Sequence, residues 1–144
     1  MQRCLIVANQ TLATDKLAEA VQERMSAEQH EFHVVAPATP VQNEAAASGA
    51  HATAPSTEEI AYGLARQRLD RALDQLRALG AVVDGEVGDP DPVQAVRDTL
   101  GHFAADEIVI STLPRGLSQW LHRDVPARLR KASDVPVTQL TAES

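Results

Sequence analysis

Short unbroken apolar runs alternate along this chain with longer stretches in which an apolar residue returns every third or fourth position. Cys4-Leu5-Ile6-Val7-Ala8 is the first run. No polar residue interrupts it, so neither face of the strand it predicts meets water, as in a parallel sheet covered on both sides. It ends at Asn9-Gln10-Thr11. A helix should follow, with Thr14 as its cap and Leu17, Val21 and Met25 recurring at every fourth place. Phe32-His33-Val34-Val35-Ala36 predicts the second strand, and Pro37 stops it.

Periodicity then lapses. Residues 37–55 are rich in Ala, Ser and Thr and are framed by Pro37, Pro40 and Pro55. The stretch exceeds the ~12–15 residues beyond which a connection is usually a functional lid or a disordered segment. Residues 38–55 are read as a mobile insertion or lid. Ser56-Thr57-Glu58-Glu59 has the form of a capping box, and it opens a long amphipathic helix. Ile60, Leu64, Leu69, Leu73, Leu76 and Leu79 line one side of it, and Gly80 is placed to end it. Ala81-Val82-Val83 with Val87 makes a third, weaker strand. Asp91 can cap the next helix, Pro92 suits its first position, and Gln94 completes a capping box. Val93, Val96, Leu100 and Phe103 form the stripe of that helix. Glu107 to Ser111 predicts the fourth strand, Pro126 to Ala132 a short helix, and Val135 to Leu140 the fifth strand.

Strands alternating with helices argue for one α/β domain spanning 1–144, a parallel sheet sandwiched between two helical layers. Ligands of such sheets sit beyond the carboxyl ends of the strands, where strand order switches. Asn9 to Thr11, Ala36 to Pro40, Gly88 to Asp91 and Ser111 to Gly116 should therefore share a rim.

Composition narrows the chemistry. Only 3% of residues are aromatic, so the core has to be aliphatic. A net charge of −7 disfavours nucleic acid, whose phosphates need a concentration of Lys and Arg. The basic residues that exist include a local group, Arg115, Arg123, Arg128, Arg130 and Lys131, so an anion site near the last strand stays open. The one cysteine, Cys4, lies in an apolar run and reads as a buried small hydrophobe. No run reaches membrane-spanning length and no leader precedes the first strand, from which a cytoplasmic location is expected.

Three stretches carry a resemblance. Cys4 to Thr11 with its following helix, Val87-Gly88-Asp89-Pro90 leading to Asp106-Glu107-Ile108-Val109-Ile110, and the closing Val135-Pro136-Val137 together resemble the universal stress protein family. The resemblance implies an adenine nucleotide alpha hydrolase-like fold: a three-layer α/β/α sandwich whose five parallel strands run in the order 3-2-1-4-5. It also implies a homodimer, paired through the last strand. Family members that bind ATP carry Gly-x-x-Gly, nine residues, then Gly-[Ser/Thr] after the fourth strand, because glycine lets backbone N–H groups close on phosphate oxygens. Here those glycine places fall on Ser111, Pro114 and Asp124, and the hydroxyl place on Val125. Using Gly116 as the second glycine moves the others onto Leu113, Pro126 and Ala127. Neither register restores the motif. Pro114 removes a backbone donor, and Asp124 adds negative charge where phosphate would sit. The family's nucleotide-contacting Asp aligns with Asn9, which can still hydrogen-bond.

The candidate ligand-binding set is thus Asn9, Gln10, Thr11, Ala36, Gly88, Ser111, Thr112, Arg115, Gly116 and Arg123. Ser111 and Thr112 can equally satisfy loop backbone. Trp120 and His122 could stack on or touch a planar ligand, with core or dimer packing the plainer role for Trp120. Asp89 and Asp91 could meet a divalent cation, but helix capping explains them more economically. His30, His33, His51 and His102 have no metal-ligand spacing, and no catalytic set is placed together, so neither a metal nor an enzyme activity is expected. The expectation is a small stress-associated regulatory binding module with a degenerate nucleotide site, ATP disfavoured and the cofactor unknown. The alternative is a nucleotide binder with weak ATPase activity, using Arg115 and Arg123 on the phosphates.

Overall fold

The computed structural model describes residues 2–8, 15–38, 57–112 and 125–141. In chain order these form β1 (Gln2–Ala8), α1 (Asp15–Ala27), β2 (His30–Pro37), α2 (Thr57–Ala78), β3 (Val82–Gly88), α3 (Pro92–Leu100), β4 (Glu107–Thr112), α4 (Val125–Ala132) and β5 (Val137–Thr141). The strands make one sheet in the order β3-β2-β1-β4-β5, and every neighbouring pair is parallel. This is the order that the resemblance implies.

Alternation along the strands explains the three layers. Cys4 and Ile6 of β1, with Phe32, Val34 and Ala36 of β2, face α1 and α2, where they meet Leu17, Val21, Leu69, Leu73 and Leu76. Leu5, Val7, Val35, Ile108 and Ile110 face the other way, onto Val93 and Val96 of α3 and Val125 and Leu129 of α4. The central strands are apolar on both sides because both sides are covered. Each such aliphatic side chain contributes about 1.5–3 kcal/mol by leaving water.

Element ends follow their residues. β2 begins two places earlier than its apolar run and keeps Pro37 as its last residue, paired with Gly88. Gly80, at φ +91°, ends α2. The N–H of Gly80 donates to the Arg77 carbonyl at 3.0 Å and that of Ala81 to the Leu76 carbonyl at 3.1 Å, a left-handed cap that suits glycine. β5 starts at Val137, two places later than its sequence pattern, although the Pro136 carbonyl already accepts from Ile108 N–H at 2.8 Å. The cap by Thr14, the Ser56 box and residues 39–55 of the insertion lie outside the described residues. Ala38, at the start of the insertion, is buried and donates its N–H to the Gly88 carbonyl at 3.1 Å. Among the described residues, no helix is long and apolar enough to cross a membrane.

Candidate functional site

β1 is where the sheet changes direction. The chain builds outward through β2 and β3 on one side, then returns to lay β4 and β5 on the other. α1, which follows β1, and α4, which follows β4, pack on opposite faces of the sheet, the arrangement in which ligands of such sheets bind beyond the carboxyl ends of the strands. Ala8 and Ser111 are register partners at those ends. Ser111 and Thr112 close β4 and stand opposite Leu140 and Thr141 of β5. Asn9, Gln10 and Thr11 directly follow β1. They lie outside the described residues, as do Arg115, Gly116, Trp120, His122, Arg123 and the rest of the Ser111–Val125 loop up to Asp124.

Two of the sequence candidates have structural surroundings of their own. Ala36 is wholly buried in the core beneath α1 and α2. Gly88 ends β3 against α3. A Cβ there would stand 2.7 Å from the Ala95 Cβ and 2.8 Å from Val35 Cγ2, so glycine is what lets α3 approach the sheet.

The acidic turn after Gly88 is a capping device. Asp91 Oδ1 accepts from Val93 N–H at 3.2 Å, and Asp89 Oδ1 accepts from Asp91 N–H at 2.9 Å. The expected box is half formed: the Gln94 amide donates instead to Asp98 Oδ1 at 2.8 Å, one helical turn on. Arg128 of α4 approaches Asp91 Oδ2 at 3.4 Å, tying the starts of the two helices on this face.

A second polar cluster lies past the opposite end of α3, about 14 Å from Asp91 by the rise of nine helical residues. His33 of β2 and Glu86 of β3 both point to the α3 side of the sheet, and the turn after α3 brings His102 over them. His102 Nε2 is 2.8 Å from Glu86 Oε1, and His33 Nε2 is 3.5 Å from the same oxygen. The buried Thr99 hydroxyl is 2.8 Å from that oxygen and 2.9 Å from the Ala95 carbonyl. Burial pushes the Glu86 carboxyl upward, but the Thr99 hydrogen bond, the His102 charge and hydrogen bond, and the His33 charge outweigh it and hold it below its ordinary value. Sequence spacing could not find this group, because sixty-nine positions separate its two histidines (102 − 33). Alternation in β3 was the available signal: Glu86 shares a sheet face with Val35, whose neighbours are apolar.

No family model matches the chain, and no curated protein matches it in sequence. Solved structures do match. A universal stress protein in complex with cAMP superposes with a TM-score of 0.58 at 20% identity, over 98% of this chain and 98% of that one. A universal stress protein from Archaeoglobus fulgidus gives 0.59 at 16% identity, over 96% and 93%. An Arabidopsis thaliana universal stress protein family member with AMP bound gives 0.60 at 13% identity, over 100% and 94%. The architecture assembled above, from strand order to helical layers, is the universal stress protein fold.

Proposed function

We propose that this chain is a universal stress protein-like regulatory binding module that takes a small nucleotide or anion in the crevice between β1 and β4. The observation that carries this reading is the switch point itself, where Ala8 and Ser111 end side by side in a fold matched almost end to end. Two of the similar structures hold cAMP and AMP, each with one phosphate. A monophosphate asks less of the loop than a triphosphate does. That suits a segment in which Ser111, Pro114 and Asp124 occupy the family's glycine places. In this reading Asn9, Gln10, Thr11, Ser111 and Thr112 meet the nucleoside, and Arg115, Gly116 and Arg123 meet the phosphate. The module is non-enzymatic and cytoplasmic, and it forms a homodimer through β5, an outer strand of the sheet.

The test is direct. Natively purified protein is denatured and the supernatant is assayed for released nucleotide. The protein is then titrated calorimetrically with AMP, cAMP, ADP and ATP, with and without magnesium. The expected order is AMP or cAMP above ATP, with Arg115→Ala and Arg123→Ala weakening the monophosphate. Tight magnesium-dependent ATP binding, or no binding of any of the four, overturns the reading.

A further inference from the structure

We propose that His33, Glu86 and His102 form a binding site for one divalent transition-metal ion of the zinc class, on the α3 face of the sheet and apart from the nucleotide crevice. The three side chains each offer one donor atom, and these atoms lie within 4.8 Å of one another. Two imidazoles and a carboxylate suit zinc and its neighbours, whereas magnesium and calcium prefer oxygen throughout. Donors around a tetrahedral zinc stand roughly 3.3 Å apart, given metal–ligand bonds of about 2.0–2.1 Å. The separations of 2.8 Å and 3.5 Å from Glu86 Oε1 straddle that spacing, so small side-chain movements would seat an ion.

The hydrogen-bond pattern points the same way. Thr99 and His102 both converge on Glu86 Oε1, and a carboxylate oxygen has two lone-pair positions. His33 Nε2 is left buried with no hydrogen-bond partner. Its ring is stacked on Phe103 with centroids 5.0 Å apart, which holds the nitrogen toward Glu86. A buried polar atom without a partner is costly, and a metal taking its lone pair would remove that cost. The Thr99 hydroxyl then serves as the outer partner that orients the ligating carboxylate.

The site has rigid and adjustable parts. His33 and Glu86 are held by paired strands, while His102 is on the turn after α3 and is more than half exposed. A cleft of about 370 Å³, lined by Glu31, Phe32, His33, Arg77, Val82, Val83 and Asp84, lies beside His33. Three protein ligands leave one tetrahedral position for water, so the ion would be exchangeable.

Zinc chloride, titrated into the metal-stripped full-length protein by calorimetry, is expected to bind at one equivalent per chain and to raise Tm. Cobalt(II) in its place is expected to give the visible absorption of a four-coordinate ion. His102→Ala, at a side chain more than half exposed, should weaken zinc at least about 10-fold, and Glu86→Gln should do likewise. Thr99→Val should weaken it roughly 10-fold through loss of the outer hydrogen bond. His30→Ala, outside the cluster, is expected to leave binding unchanged. Absence of one-equivalent binding, meaning that the cluster is only a Glu86–His102 ion pair, overturns the proposal. So does binding that survives His102→Ala and Glu86→Gln combined.

Discussion

Removing the Arg24–Glu107 fork should cost this protein about 2 kcal/mol, intermediate between a surface ion pair and a buried one. Arg24 Nε and Nη2 donate to Glu107 Oε1 and Oε2 at 2.7 Å each. Thr138 adds its hydroxyl to Oε2 at 2.8 Å, and Arg24 Nη1 donates to the Ala20 carbonyl at 3.0 Å. One guanidinium thereby clamps α1 to the start of β4, and the carboxylate reaches on to β5. The two side chains are 18% and 27% exposed. Exposed pairs contribute about 0–1 kcal/mol, and removing one partner of a fully buried pair costs about 3–5. In a domain of this size about 2 kcal/mol lowers Tm by roughly 7 °C. The assay is a double-mutant cycle of Arg24→Ala and Glu107→Ala by denaturant unfolding, with an expected coupling of about 1.5 kcal/mol.

The pH dependence has a definite sign. The Arg24 hydrogen bond holds the Glu107 carboxyl below its ordinary value of 4.5, against the upward push of burial and with help from Thr138. A depressed carboxylate contributes fully above its unfolded value and loses that contribution as pH falls through the folded one. The coupling should therefore be level through neutral pH and fade only as pH drops below about 4.5. A coupling under about 0.5 kcal/mol at pH 7, or one that survives full acidification, would refute the reasoning.

Three further outcomes are expected. Gly88→Val should destabilise by about 2 kcal/mol, read as a lower midpoint in urea, since its side chain would be driven into Ala95 and Val35; an unchanged midpoint would mean that α3 can shift freely. Asp91→Ala should cost about 1 kcal/mol through the lost cap, whereas Asp91→Asn, which keeps the cap but not the charge facing Arg128, should cost a few tenths. Burial pushes the Cys4 thiol up to about 12 and the Glu107 charge adds to it, outweighing Arg24, so a maleimide at pH 8 should leave native Cys4 unlabelled while labelling unfolded chains completely. Equal rates in the two states would contradict that.

Legibility followed burial. β1, β2 and β4 are read from sequence because helices cover both of their faces, leaving runs such as Leu5 to Val7 and Ile108 to Ile110 with no polar break. β3 is weak for the opposite reason. It is an outer strand: Asp84 faces water, Glu86 meets Thr99 and His102, and Gly85 stands where Leu69 and Leu73 of α2 press close to the strand. The caps at Gly80 and Asp91 are local, so residue type alone reveals them. Gln94 obeys the same local grammar yet turns to Asp98, because a second acceptor one turn away competes for its amide. Contacts between distant positions are a different matter. Nothing in the chain's order relates Arg24 to Glu107 or His33 to His102; only the register of β1 with β2 and β4, and the path of α3, bring them together.

The crevice and the histidine–carboxylate cluster therefore answer to different causes. The crevice beyond β1 and β4 is a consequence of strand order, which any chain with this topology possesses, so its use by this protein depends on the loop residues that surround it. The His33–Glu86–His102 cluster takes from strand order only the adjacency of β2 and β3. It exists because this chain puts an imidazole and a carboxylate at sheet positions that a plain core would give to Val or Ile, then ends α3 with a second imidazole above them. An imidazole nitrogen buried without a hydrogen-bond partner is a standing cost that an aliphatic residue would avoid, and likeness of fold does not account for it. Because α3 separates the cluster from the rim, failure of zinc to bind would leave the nucleotide reading untouched, and failure of every nucleotide would leave the metal site standing.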